Sequence, residues 1–201
     1  MIRVLLAEDQ GMMRGALATL LELEDDISVV AQVSRGDEVL AACREYRPDV
    51  ALLDIEMPGT SGLDATAEVR AAVPGCRVLI VTTFGRPGYL RRAMDAGASG
   101  FLIKDSPVEQ LADAIRRVVA GETVVDSGLA TAALRTGPNP LSPRERDVLA
   151  ASAGGATIAD IAGRLHLSES TVRNYLSAAI GKTSTRNRIE ALRAAQDNGW
   201  L

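Results

Sequence analysis

The chain has 201 residues, 47% hydrophobic and 24% charged, proportions of an ordinary globular protein that exclude wholesale disorder. No apolar run approaches the roughly 18 residues of a membrane span, and MIRVLLAEDQ reaches two acids before a signal-peptide core can form, so a cytoplasmic protein away from the membrane is expected. The net charge of -4 is uneven: residues 1–137 carry 14 Lys+Arg against 20 Asp+Glu, and residues 138–201 carry 8 against 6, which implies two modules with different partners.

In the first module, short apolar runs alternate with amphipathic stretches. Strands are predicted at Arg3–Ala7, Ile27–Val33, Val50–Leu53, Val78–Thr82 and Gly100–Ile103. Helices are predicted between and after them at Met13–Leu21, Gly36–Tyr46, Asp64–Val73, Pro87–Ala96 and Pro107–Ala120. Such alternation implies an α/β fold with a five-stranded, parallel, doubly wound sheet. VALLD and RVLIV lack polar alternation, as strands covered on both faces should. Residues 121–140 weaken in pattern and hold the breaker Gly137-Pro138-Asn139-Pro140, so they read as a linker with a short helix near Leu129–Leu134. The remainder, 141–201, is all helical, with helices predicted at Pro143–Ser152, Ile158–Leu165, Glu169–Ile180 and Arg188–Asn198. Ser142 with Glu145 three residues on is a capping box, and Ser168 can cap the third of these helices.

Strand one ends in Glu8-Asp9 and strand three in Asp54. In the strand order 2-1-3-4-5, strands one and three flank the point where the order reverses, where ligands of open parallel sheets bind. Three carboxylates gathered there repel one another unless a cation joins them. Mg2+ suits the set, because it accepts a few carboxylates, keeps waters and completes its shell with phosphate oxygens. Thr82 and Lys104 end strands four and five and can bind phosphoryl oxygens. The combination implies phosphoryl transfer onto Asp54. A magnesium phosphatase with an aspartyl nucleophile would use similar groups. The residue two places after Asp54 is Glu56, with no second acid of a DxD pattern and no cap insertion, which weighs against that alternative. Cys43 and Cys76 have no metal or CxxC spacing and read as buried thiols.

In the helical module, Ile158–Leu165, a short turn, and Ser170–Ile180 have helix-turn-helix spacing. Ile158, Ile161, Ala162, Leu165, Val172, Leu176 and Ile180 point inward, which leaves Arg173, Asn174 and Ser177 on the outer face of the second helix. Such residues read base edges in the major groove. Ser170 and Thr171 at its start, with Lys182 and Arg186 beyond its end, suit DNA phosphates. His166 has no assigned role, and Trp200 is expected to anchor the last helix. The first and fifth helices carry more apolar residues than one sheet face requires. Leu17, Leu21, Leu111, Ile115 and Val119 are therefore candidates for a dimer interface.

Residues 1–120 resemble the receiver domain of two-component response regulators through Glu8-Asp9, Asp54, Met57-Pro58, Gly62, Thr82, Phe101 and Lys104. The resemblance implies that Asp54 is the phospho-acceptor, with Mg2+ held by Glu8, Asp9, Asp54 and the backbone carbonyl of Glu56. It also implies that Thr82 and Phe101 form the switch pair and that Lys104 pairs with phosphate. LSPRERDVLAASAGGATIADIAGRLHLSESTVRNYLSAAIGK is similar to LuxR-type helix-turn-helix domains of the NarL/FixJ class, and segments such as DIEMPG, KDSP and TVRNY to its DesR-like branch. The implied protein is a regulator and not an enzyme. A sensor histidine kinase would phosphorylate it, and it would then form a homodimer and bind two-fold symmetric promoter DNA.

Overall fold

The computed structural model describes every residue except Phe84, Ser106, Pro107, Thr136, Gly137 and Pro138, together with the backbone but not the side chains of Val108, Leu134 and Arg135. The predicted breaker at Gly137-Pro138 and the predicted helix start at Pro107 lie outside the described residues. Two compact units form, one from Met1–Gly85 with Leu90–Ala130, the other from Arg86–Tyr89 with Thr131–Leu201.

Along the chain up to Val119, strands and helices alternate as β1 (Ile2–Ala7), α1 (Gly11–Leu21), β2 (Ile27–Val33), α2 (Gly36–Tyr46), β3 (Val50–Leu53), α3 (Gly62–Ala72), β4 (Arg77–Thr82), α4 (Pro87–Asp95), β5 (Gly100–Ile103) and α5 (Val108–Val119). All strand pairs are parallel, in the order β2-β1-β3-β4-β5-β6. The order places β1 and β3 side by side, as the alternation predicted. It also contains a sixth strand, β6 (Val124–Val125), where a five-stranded sheet was expected. Two residues are too few to show a period in sequence. The strand can dock because Gly100 faces it, and a Cβ there would sit 2.8 Å from the Val124 carbonyl. The segment 121–140, read as linker, thus carries β6 and then α6 (Ser127–Arg135).

The core of this unit is aliphatic. Val4, Leu6, Val50, Leu52 and Leu79 from the central strands pack with Leu21 of α1 and Leu111, Ile115 and Val118 of α5. Burying each such side chain stabilises the fold by about 1.5–3 kcal/mol. This core consumes part of the apolar surplus assigned to dimerisation, because Leu21 and Ile115 are 0% exposed and Leu111 6%. These three residues are corrected from interface to core; Leu17 and Val119 are partly buried and pack against it.

The second unit holds α7 (Pro143–Ala151), a 3-10 turn at Ala153–Gly155, α8 (Ile158–Leu165), α9 (Glu169–Lys182) and α10 (Arg188–Asp197). Val148, Leu149, Ile161, Val172, Leu176, Ala191 and Ala195 form its core. Local signals fix its helix starts. Ser142 and Glu145 close the predicted capping box on α7, Thr157 and Asp160 close a second on α8, and the Ser168 hydroxyl accepts the Thr171 N–H on α9. His166 ends α8 in the left-handed region at φ 53°. Trp200 packs against the core, its backbone N–H donating to the Ala195 carbonyl at 2.8 Å. No helix among the described residues is long and apolar enough to cross a membrane.

Candidate functional site

The carboxyl ends of β1, β3 and β5 bring Glu8, Asp9, Asp54 and Lys104 to one edge of the sheet. Each strand stops there because the backbone turns: the Asp54 N–H still bonds the Ala7 carbonyl at 3.0 Å, while the Asp54 Oδ1 accepts the next N–H, of Ile55, at 2.7 Å. The chain folds back tightly. A Cβ on Gly62 would lie 1.9 Å from the Asp54 carbonyl oxygen, so only glycine permits the α3 start to approach the acid. The three carboxylates present oxygens within 4.8 Å of one another, with Asp9 exposed and Glu8 and Asp54 buried.

Lys104 spans two of them. Its Nζ donates to Glu8 Oε2 at 2.5 Å and to Asp54 Oδ2 at 2.8 Å, all three side chains being almost fully buried. Burial opposes the charge on Lys104, but the hydrogen bonds to Asp54 and Glu8 outweigh it and hold the ammonium above its ordinary pKa. Glu8 is further fixed by the Gln10 N–H at 3.1 Å. Formally, three carboxylates and one ammonium leave two negative charges, and all the acidic donors are hard oxygens. That set fits a divalent cation such as Mg2+.

Thr82 lies beside this group, buried at the end of β4, and its carbonyl accepts the Lys104 N–H at 2.8 Å. Phe101 is 0% exposed and packs in the sheet interior. Glu56 follows Asp54 by two residues and its side chain is exposed.

In the second unit α9 buries Val172, Leu176 and Ala179, which turns Arg173, Asn174 and Ser177 outward, all exposed. Arg173 is drawn back along its own helix to Glu169, at 2.6 Å. Ser170 and Thr171 share hydroxyl hydrogen bonds with the cap residue Ser168, at 2.9 and 2.7 Å. Arg186 is exposed, and its backbone N–H meets Glu190 at 3.0 Å.

Lys182, expected at DNA phosphates, also holds the domain together. Its Nζ bonds Glu145 Oε2 at 2.7 Å, and that glutamate, only 7% exposed, also closes the α7 capping box. The Lys182 hydrogen bond, against the cost of burial, holds the Glu145 carboxyl below its ordinary pKa. Lys182 therefore ties α9 to the start of α7, while its side chain remains 43% exposed. Sequence spacing missed this pair because 37 residues separate its members.

Residues 4–116 match the family model of the response regulator receiver domain, and residues 139–195 match that of bacterial regulatory proteins of the luxR family. Over full length on both sides, the chain is 46% identical to the transcriptional regulatory protein YvfU and 44% identical to the transcriptional regulatory protein DesR, both of Bacillus subtilis (strain 168). Among solved structures it is similar to the response regulator ChrA of a heme-sensing two-component system, with 33% identity, a TM-score of 0.60, and coverage of 100% of this chain and 98% of that one. RcsB in complex with DNA shares the fold at 21% identity, with a TM-score of 0.73 and 98% coverage of both chains.

Proposed function

Because the chain belongs to the response regulators that join a receiver domain to a LuxR-type DNA-binding domain, we propose that phosphorylation of Asp54 by a sensor histidine kinase makes it dimerise and bind promoter DNA, regulating transcription in the cytoplasm. The receiver spans 1–120, the linker 121–140 and the DNA-binding domain 141–201. One observation carries the reading: three carboxylates within 4.8 Å of one another, with the Lys104 ammonium 2.8 Å from Asp54 Oδ2.

An Asp54 oxygen attacks the phosphorus of a phosphohistidine, and the bond from phosphorus to the imidazole nitrogen breaks, leaving an acyl phosphate. Glu8, Asp9, Asp54 and the Glu56 carbonyl would hold Mg2+, which supplies positive charge against the phosphoryl oxygens. Lys104 turns from Asp54 to a phosphoryl oxygen, and Thr82 donates its hydroxyl to another, with Phe101 moving in the same switch. Most of the rate comes from this positioning and charge neutralisation.

Leu17 and Val119, on α1 and α5, remain the accessible part of the expected dimer surface. On DNA, Arg173, Asn174 and Ser177 address base edges, and Ser170, Thr171, Lys182 and Arg186 address phosphates. Arg173 exchanges its exposed Glu169 partner for a base at little cost, because exposed ion pairs contribute about 0–1 kcal/mol. The test is labelling with a small phosphodonor and magnesium. Wild type gains one base-labile phosphoryl group and Asp54→Asn gains none; equal labelling of the variant would overturn the assignment.

A further inference from the structure

The helix α9 has one acid in its sequence, Glu169, and it stands in the first turn. Its side chain is 50% exposed and does not cap the helix, because the Ser168 hydroxyl already accepts the Thr171 N–H. Glu169 Oε2 instead accepts from the Nη2 group of Arg173, one turn further on, at 2.6 Å. The Arg173 side chain is 60% exposed. The contrast with Glu145 is plain: that acid is buried and closes a capping box, whereas the Glu169–Arg173 pair lies open to solvent on the face turned away from the core.

An exposed pair of this kind adds little to the fold. What it places on the outer face of α9 is a donor fork with an acceptor beside it. An ionised carboxylate only accepts, and a guanidinium only donates. In a recognition helix the residues near the amino end are the ones that reach base edges. A carboxylate there is repelled by every phosphate, so its partner on DNA has to be a base amino group. Adenine sets its N6 amino group beside the N7 lone pair, which opposes a carboxylate. Cytosine offers the N4 amino group with no acceptor beside it.

We propose that Glu169 is a second base-reading residue, which accepts the N4 amino group of a cytosine in the base pair next to the guanine that Arg173 addresses. The inference rests on the DNA-binding reading of α9. Arg173 leaves Glu169 for guanine O6 and N7, and the released carboxylate takes the neighbouring cytosine, so neither charge is left unpaired in the groove. The spacing suits this exchange, because the two charged groups touch at 2.6 Å and adjacent base pairs stack about 3.4 Å apart. On other sequences the carboxylate finds no amino donor and faces phosphates alone. Glu169 thereby favours a G·C-rich step and opposes binding elsewhere.

The test uses the full-length chain with magnesium and beryllofluoride, selecting duplexes from a randomised pool. The wild-type chain should enrich a guanine with a cytosine-bearing pair beside it. Glu169→Ala should keep the guanine and lose the cytosine. It should bind the wild-type duplex about five- to tenfold more weakly, and a scrambled duplex more tightly. Glu169→Gln should change the same position to adenine, whose N6 and N7 suit an amide, while the guanine stays. Replacing each cytosine of the enriched duplex in turn by 2-pyrimidinone, which lacks the amino group, should weaken the wild-type chain at one position and leave Glu169→Ala unaffected there. A role confined to starting α9 would instead weaken the enriched and scrambled duplexes alike. That result, or the same base preferences in all three chains, would overturn the inference and leave the DNA-binding reading intact. A wild-type chain that enriches no sequence would overturn both.

Discussion

Lys104 has one role in the structure and a second in the proposed chemistry, and their demands differ. As an ion-pair partner it must stay between Glu8 and Asp54; as a phosphate ligand it must leave one of them. Removing it leaves two buried carboxylates facing each other, and stripping one partner from a buried ion pair costs about 3–5 kcal/mol. Lys104→Ala should therefore lower the Tm of the first unit by many degrees in metal-free buffer, and millimolar magnesium should restore part of the loss. An unchanged Tm in both buffers would show that the ammonium contributes nothing to the fold. Lys104 is raised above its ordinary pKa, so its contribution is complete below that value and is lost only in alkali, as pH climbs through the folded value. Glu145 works in the opposite direction. Its folded pKa lies below 4.5, so its stabilisation is present above about pH 4.5 and disappears as pH falls through the folded value. Glu145→Gln should flatten the acid limb of the second unit's thermal stability between pH 3 and 6, followed by the fluorescence of Trp200. A steep acid limb in that variant would place the titrating group elsewhere. Lys182→Ala should destabilise the same unit at pH 7. These roles differ in how visible they were. The charges of Asp54 and Lys104 were legible because strand ends converge by topology, whereas the Glu145–Lys182 pair was not, since helix packing decides it.

At the scale of the element, the helices and strands that bury one continuous face were legible with ends off by at most two residues, because burial imposes a period. α5 is an example, with Leu111, Ala112, Ala114, Ile115 and Val118 all buried. What the period could not show is how much of an apolar face the protomer itself would use, hence the reassignment of Leu21, Leu111 and Ile115. Nor could it reveal β6, whose two residues dock by virtue of Gly100 and not by their own pattern. Glycines separate the two kinds of information clearly. Gly62 touches the Asp54 carbonyl, whereas nothing lies within 4 Å of a Cβ built on Gly15 of α1. Gly62→Ala should push the loop after β3 away from Asp54, destabilise the first unit by about 1–3 kcal/mol through overpacking, and slow labelling of Asp54. Gly15→Ala should instead stabilise it by about 0.5–1 kcal/mol, because alanine loses less entropy in a helix. Urea titrations of the two variants should move the midpoint in opposite directions, and a shared direction would contradict the packing described for Gly62.

Across the whole molecule, charge and apolar surface set opposite demands on assembly. Residues 1–137 carry 14 basic against 20 acidic groups, so two receivers brought together repel, and a phosphoryl group adds to that repulsion. Residues 138–201, with 8 against 6, carry the opposite sign and are drawn to DNA. Pairing must therefore come from apolar contact. The accessible candidate is the groove of about 140 Å³ lined by Met13, Ala16, Leu17 and Leu20, with the buried Leu111 also in its lining, which runs up to Lys104 and so adjoins the Asp54 site. A beryllofluoride complex at Asp54, mimicking the phosphoryl group, should shift the chain from monomer to dimer in sedimentation velocity. Leu17→Arg should block that shift while Asp54 still labels, because Leu17 is partly exposed where Ile115 is not. Salt should then separate the two assembly steps. Between about 50 and 300 mM NaCl, screening should strengthen the dimer, since the Debye length falls below the spacing of the repelling charges. Over the same range DNA binding should weaken, as counterions compete for the phosphates. A dimer that weakens with salt would mean that ion pairs, not the α1–α5 groove, hold the receivers together. An unchanged sedimentation coefficient with beryllofluoride would refute dimerisation as the activating step altogether.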